Sequence, residues 1–67
     1  MTTDTLTPRE REVMRLRSLG LGPGEIGARL GITADTARKH RDNAVRRTGL
    51  GSEIAVVLEL ERSTATA

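Results

Sequence analysis

Glycines that follow short amphipathic segments divide this chain of 67 residues into four helices. Gly20, Gly31 and Gly49 each stand where an apolar periodicity stops, and a left-handed closing residue is inexpensive only for glycine. The starts are marked too, because Thr7 and Thr33 are residue types that cap helices. The pattern predicts helices over residues 8–19, 23–30, 34–48 and 53–62. We therefore predict an all-α fold.

The first helix carries the strongest local signals. Thr7 precedes Pro8, and Glu10 follows the cap by three residues, which is the spacing of a capping box. The apolar positions Val13, Leu16 and Leu19 recur at three-residue steps and, with Met14, predict one buried stripe. Gly20 closes the helix, and Leu21 is expected to fold back onto Leu16.

The second and third helices differ in how they pack. Ile26 and Leu30 predict a buried face on the second helix, and Gly27 between them suggests a close approach by another helix. The inward positions of the third helix are small or partly polar: Ala37, His40 or Arg41, Ala44, Val45 and Thr48. We expect this helix to pack shallowly and to leave most of its surface to solvent or a ligand.

Composition excludes several classes of protein. The chain lacks aromatic residues and cysteine, so its core must be aliphatic and it has neither disulfides nor a cysteine zinc site. With one histidine, His40, the chain has too few ligands for a protein-ligated zinc site, and it has no nucleophile–base set that would indicate an enzyme. We expect no metal, no cofactor, no membrane span and no signal peptide, hence a cytoplasmic protein.

We expect one domain over residues 6–62, with disordered tails at 1–5 and 63–67. An initial methionine before a short polar lead favours a free-standing protein over an excised piece.

Charge is unevenly distributed although the net charge is only +2. Five cations lie within ten positions of the third helix: Arg38, Lys39, Arg41, Arg46 and Arg47. Acidic residues gather near the end of the chain, at Glu53, Glu59 and Glu61. The cations of a basic helix either face solvent or form the contact surface for a polyanion. The tight turn Leu30-Gly31-Ile32-Thr33 before it favours the second interpretation, because it predicts a helix-turn-helix whose second helix fits the DNA major groove.

Several fragments resemble LuxR/GerE-type DNA-binding domains. They are Leu6-Thr7-Pro8-Arg9-Glu10-Arg11-Glu12-Val13, Gly20-Leu21, Glu25-Ile26-Gly27-Ala28-Arg29-Leu30-Gly31-Ile32, Thr36-Ala37-Arg38-Lys39-His40, Asn43 and Gly49-Leu50. Each is weak alone, but their order and spacing from Leu6 to Leu60 make the resemblance specific. It implies a tri-helical core plus a C-terminal dimerisation helix, and a transcriptional regulator that binds double-stranded DNA as a homodimer on an inverted repeat.

The resemblance also implies site residues. The positions that would read base edges are Arg38, Lys39 and Asp42, and Arg38 could pair bidentately with guanine. The positions that would face phosphates are Thr36, His40, Asn43, Arg46 and Arg47.

This sequence departs from the family pattern at several of these places. Asp42 stands where a basic or neutral residue is usual, and either salt-bridges to Arg38 or Arg46 or accepts a hydrogen bond from cytosine. Thr48 replaces a leucine, and Glu53 replaces an arginine.

The fourth helix has more apolar residues than one stripe needs. At 100° per residue, Val56, Val57 and Leu60 share one side, whereas Ile54 and Leu58 lie on another. The resemblance assigns Ile54 and Leu58 to a twofold partner. A core wide enough to cover both sides is the alternative.

Two other functions remain open at this point. The first half of the chain is also similar to region 4 of a sigma factor, which binds promoter DNA beside RNA polymerase. A helical adaptor for another protein is the second, suggested by Asp42, Glu53 and the acidic end.

Overall fold

The computed structural model describes residues 5–66, with side chains described for residues 5–62. It contains α1 (Pro8–Ser18), α2 (Pro23–Leu30), α3 (Ala34–Thr48) and α4 (Glu53–Thr66). The described residues include no strand. The predicted all-α class with four helices is confirmed. None of these helices is both long enough and apolar enough to cross a membrane.

Local hydrogen bonds fix the starts of α1 and α2. The Thr7 hydroxyl accepts from the Glu10 N–H at 3.1 Å, and Glu10 Oε1 accepts from the Thr7 N–H at 3.0 Å. These are the two halves of the predicted capping box. Gly22 has no side chain with which to cap α2. Instead, Oε1 of Glu25 accepts from the Gly22 N–H at 3.2 Å.

The end of α1 follows the predicted closure. Gly20 has φ +93°, its N–H donates to the Arg17 carbonyl at 3.0 Å, and the Leu21 N–H donates to the Leu16 carbonyl at 3.4 Å. This pair of bonds is a Schellman motif. It brings Leu21 back beside Leu16, and both side chains pack against the same part of the core.

The core consists of two adjoining aliphatic clusters. One joins α1, α3, α4 and the lead into α1, through Leu6, Met14, Ala44, Val56 and Leu60. The other joins α1, α2 and α3, through Val13, Ile26 and Ala37. Since α1 and α3 contribute to both clusters, they hold α2 and α4 on opposite sides of the domain.

Two sequence predictions about helix ends are wrong. Leu19 is 70% exposed, because it is the C-cap of α1 and Leu21 takes the inward position after the turn. Helix α4 continues through residues 63–66, which were assigned to a disordered tail, and ends at Thr66 rather than near Arg62. No glycine or proline follows Gly51 to stop it. The remaining residues of the predicted tails, 1–4 and 67, lie outside the described residues. Thr5 is described, and its hydroxyl donates to the Arg47 carbonyl at 3.5 Å.

Candidate nucleic-acid interface

Helix α3 packs on the domain through small residues. Ala37, Ala44 and Thr48 are its buried side chains. The Thr48 hydroxyl is satisfied within the helix, since it donates to the Ala44 carbonyl at 3.0 Å. Small contact residues let the axis of α3 lie close to the helices below it. The opposite side of the helix is therefore exposed along its length.

The exposed side of α3 carries a compact polar arc. Arg38, Lys39, Asp42 and Arg46 are exposed, and at 100° per residue they fall within about 100° of the helix circumference. Three polar residues at the edge of this arc are half-buried: Thr36, His40 and Asn43. The structure thus brings the sequence-predicted base-reading positions onto one surface, with these three beside them.

Carboxylates on α3 hold two of its arginines. Arg38 Nη1 lies 2.6 Å from Asp35 Oδ1, and Arg41 Nη2 lies 3.2 Å from Asp42 Oδ1. The predicted salt bridge from Asp42 to Arg38 or Arg46 is therefore wrong. Arg38 instead pairs with Asp35, one turn earlier in the helix, and Asp42 pairs with the guanidinium of the adjacent residue Arg41.

Arg47 forms a long-range ion pair that the sequence did not indicate. Its Nε donates to Oε2 of Glu10 at 2.9 Å, and Glu10 is only 2% exposed. Burial alone raises the pKa of Glu10, but the Thr7 N–H and the Arg47 guanidinium outweigh it, so the net pKa is lowered. The side chain of Arg47 is half-exposed. One sequence-predicted phosphate contact thus also anchors α3 to the start of α1.

Lys39 and Arg46 have no such carboxylate. Among the residues that the structure describes, neither makes an ion pair. Their charges are directed to solvent from the exposed arc. They are the α3 cations best placed for an external anion.

A second surface lies at the junction of α1 and α4. Ile54 is 72% exposed and Leu58 is 58% exposed, and both line a shallow groove with Ser18 and Gly20, which flank the exposed Leu19. Val56 and Leu60 on the other side of α4 are buried. The split of α4 into an inward and an outward apolar side is as predicted except at Val57, which is half-buried and contributes to both the core and the groove. The sequence periodicity predicted Leu19 to be buried and so did not indicate that it is exposed at this surface.

An ion pair ties α4 to α1 beside this groove. Arg17 Nε lies 2.6 Å from Oε1 of Glu53. Glu53, which departs from the family pattern, therefore has a partner inside the domain. No cluster of three or more potential metal-ligating side chains occurs within residues 5–62, whose side chains the structure describes.

The short turn from α2 into α3 and the exposed polar arc of α3, most of whose residues are basic, together define a helix-turn-helix domain. The chain belongs to the family described as bacterial regulatory proteins, luxR family, whose model matches residues 4–60.

Curated relatives agree with this assignment. The transcriptional regulatory protein MctR of Rhizobium johnstonii is 38% identical over 55 residues, which cover 82% of this chain and 26% of MctR. The transcriptional regulatory protein UhpA of Escherichia coli is 35% identical over 51 residues, covering 76% of this chain and 26% of UhpA. Mb0914c of Mycobacterium bovis, named as an HTH-type transcriptional regulator, is 38% identical over 58 residues. That match covers 87% of this chain and 7% of Mb0914c, so the chain spans a small part of each relative. No solved structure matches the chain.

Proposed function

We propose that this chain is the DNA-binding domain of a transcriptional regulator and that α3 enters the major groove of double-stranded DNA. The observation that carries the proposal is the polar arc of α3, which is exposed because the opposite side packs through small residues. A helix of this kind fits the major groove, and its N-terminal half reaches base edges. Because the proposed ligand is DNA, the domain would act in the cytoplasm.

The proposed contacts follow from position on the helix. Arg38, Lys39 and Asp42 lie on the arc that would face the base edges. Arg38 has the planar fork that matches guanine O6 and N7. Asp42 can accept from cytosine N4, and it also holds Arg41.

Five other polar residues of α3 are proposed to contact the DNA backbone. They are Thr36, His40, Asn43, Arg46 and Arg47. Such contacts set the register of the protein on the duplex without reading sequence. The names of MctR, UhpA and Mb0914c as transcriptional regulators support the same role for this chain.

Selection of preferred sites from random duplexes, followed by a salt series, tests the proposal. The selected duplex should bind more tightly than a scrambled one. The logarithm of affinity should fall linearly with the logarithm of salt concentration, by about 0.9 per phosphate contacted. If no duplex is enriched and no salt-dependent binding occurs, DNA recognition is refuted and the helical adaptor is favoured.

We further propose that two copies of the domain associate through α4 on an inverted repeat. The support is the outward side of α4, where Ile54 and Leu58 expose most of their apolar surface. Large side chains exposed next to one another are typical of an interaction surface. Leu19 is exposed between Ser18 and Gly20, which line the groove, and would extend the contact onto α1.

A further inference from the structure

The two acidic residues of α3 lie on the helix that is proposed to meet a polyanion. Asp35 is 84% exposed and its partner Arg38 is 50% exposed, with 2.6 Å between Oδ1 and Nη1. An exposed pair at this i, i+3 spacing contributes only a few tenths of a kcal/mol to a helix. An exposed carboxylate in the first turn adds about 0.3–1 kcal/mol through the helix dipole. Its carboxylate also repels phosphate. Stability alone therefore gives a weak reason for Asp35.

The placement of Asp35 gives a stronger one. Asp35 lies in the first turn of α3, one turn before Arg38, and at 100° per residue the two share the exposed arc. The pair directs the guanidinium of Arg38 toward the N-terminal half of the helix, which is the half that reaches base edges. Arg38 has five N–H donors, and the ion pair uses the Nη1 end. The other donors remain available to a base.

We propose that Asp35 is a positioning residue for sequence readout, which holds the guanidinium of Arg38 toward a base edge and away from the phosphates. The proposal rests on the proposed function of α3. Without Asp35, the long side chain of Arg38 rotates freely and reaches phosphates on DNA of any sequence. The carboxylate thus lowers affinity for random DNA and keeps the arginine oriented for its preferred base.

Three variants separate this role from a general effect of charge. Asp35→Asn removes the carboxylate charge, and Asp35→Glu keeps a carboxylate within reach of Arg38. Glu12→Gln is the matched control, because Glu12 pairs with Arg9 at the same i, i+3 spacing on α1, at 3.6 Å. Each protein is titrated against the duplex selected with the wild type and against a scrambled duplex, over a salt series. Thermal unfolding of each variant checks that α3 stays folded.

Asp35→Asn should lower the ratio of specific to scrambled affinity about ten-fold. Part of this loss should be tighter binding to the scrambled duplex, with a salt slope steeper by about one phosphate contact. Asp35→Glu should recover most of the ratio, and Glu12→Gln should leave it unchanged. An unchanged ratio for Asp35→Asn would overturn the proposal, as would a failure of Asp35→Glu to recover it.

A second pair of variants tests whether Asp35 acts through Arg38. Arg38→Lys keeps the charge but lacks the planar fork. It should therefore lower the ratio of specific to scrambled affinity about as much as Asp35→Asn does. Adding Asp35→Asn to Arg38→Lys should then cost little more, whereas fully additive losses would show that Asp35 acts independently of Arg38. If the wild type enriches no duplex at all, the proposed function itself fails. A normal wild-type ratio with an unaffected Asp35→Asn variant defeats only the role of Asp35.

Discussion

Glu10 shows how one residue connects local and tertiary structure. One of its carboxylate oxygens completes the capping box of α1, and the other accepts from Arg47 near the end of α3. The carboxylate is buried, so both oxygens need partners to remain charged. The start of α1 and the end of α3 are therefore fixed by the same side chain.

Replacing Glu10 should give a stability loss that depends on pH. Glu10→Gln should lower the free energy of unfolding by roughly 1–3 kcal/mol at pH 7, because Arg47 loses its charged acceptor. The pKa of Glu10 is lowered from its ordinary value of 4.5 in the folded state. Its contribution is thus present above the unfolded pKa and lost as the pH falls through the folded pKa. Urea unfolding at a series of pH values should show a constant difference above pH 4.5, and wild type and variant should converge as the pH falls below 4.5 through the lowered pKa of Glu10. A constant difference down to the lowest pH would contradict this role.

Arg46 and Arg47 are neighbours in sequence but should differ in effect. Arg46→Ala should reduce affinity for all duplexes alike and lower the salt slope by about 0.9 per chain, with little change in stability. Arg47→Ala should also destabilise the domain, because it leaves Glu10 buried without its cation. Salt titrations and thermal unfolding of both variants measure the two effects. Equal losses of stability would contradict the distinction.

The angle between α2 and α3 depends on a close backbone contact at Gly27. A Cβ atom at this position would lie 2.5 Å from the carbonyl oxygen of Ile32 and 3.1 Å from the carbonyl carbon of Thr33. These are backbone atoms of the turn, so they cannot move as a flexible side chain would. The sequence predicted a close approach by another helix at Gly27, whereas the nearest backbone atoms belong to the turn into α3. The turn packs directly on α2 and sets the direction in which α3 projects.

Alanine substitutions at two glycines of α2 should differ in their effect on stability. Gly27→Ala should destabilise the domain by about 1–3 kcal/mol, because overpacking outweighs the better helix propensity of alanine. Gly24→Ala is the matched control, since a Cβ there meets nothing within 4 Å, and it should be neutral or stabilising. Chemical denaturation of both variants tests the contrast. A Gly27→Ala variant as stable as the wild type would show that the turn can shift without cost.

The sequence predicted the helices better than their side-chain contacts, for a physical reason. Caps such as Thr7 and Thr33, and closing residues such as Gly20, act within a few residues, so their effect is visible locally. The partners of long side chains are not visible in this way. The ion pair between Arg47 and Glu10 joins residues 37 positions apart, and Asp42 had several arginines within reach. Leu19 was misplaced because its three-residue spacing continues past the end of α1.

The molecule as a whole has a small aliphatic core, and part of its apolar surface remains exposed to solvent. The core is built from aliphatic and methionine side chains, because the chain has no aromatic residue to contribute. Chains of this length bury little of their surface, so their stability is marginal. Of the exposed large hydrophobic residues, Ile54 and Leu58 line the groove between α1 and α4. The third, Leu19, lies between Ser18 and Gly20, which also line it. Association through that groove would add the burial that one copy lacks.

Self-association should therefore make thermal stability depend on protein concentration. Because binding between folded copies stabilises the folded state, each ten-fold increase in concentration should raise the unfolding midpoint by a few degrees. The double variant Ile54→Ser, Leu58→Ser should sediment as a monomer, and its midpoint should not vary with concentration. Both side chains are exposed in the single chain, so the dilute wild type should unfold close to the variant.

The single variant Leu19→Ser measures how far the contact extends along α1. If Leu19 belongs to the contact, this variant should weaken the dimer less than the double variant does, because it removes one apolar side chain at the edge of the groove. An unchanged dimer would confine the interface to α4. A wild type that sediments as a monomer at every concentration would contradict association through this surface. Each copy would then have to bind its half of an inverted repeat independently of the other.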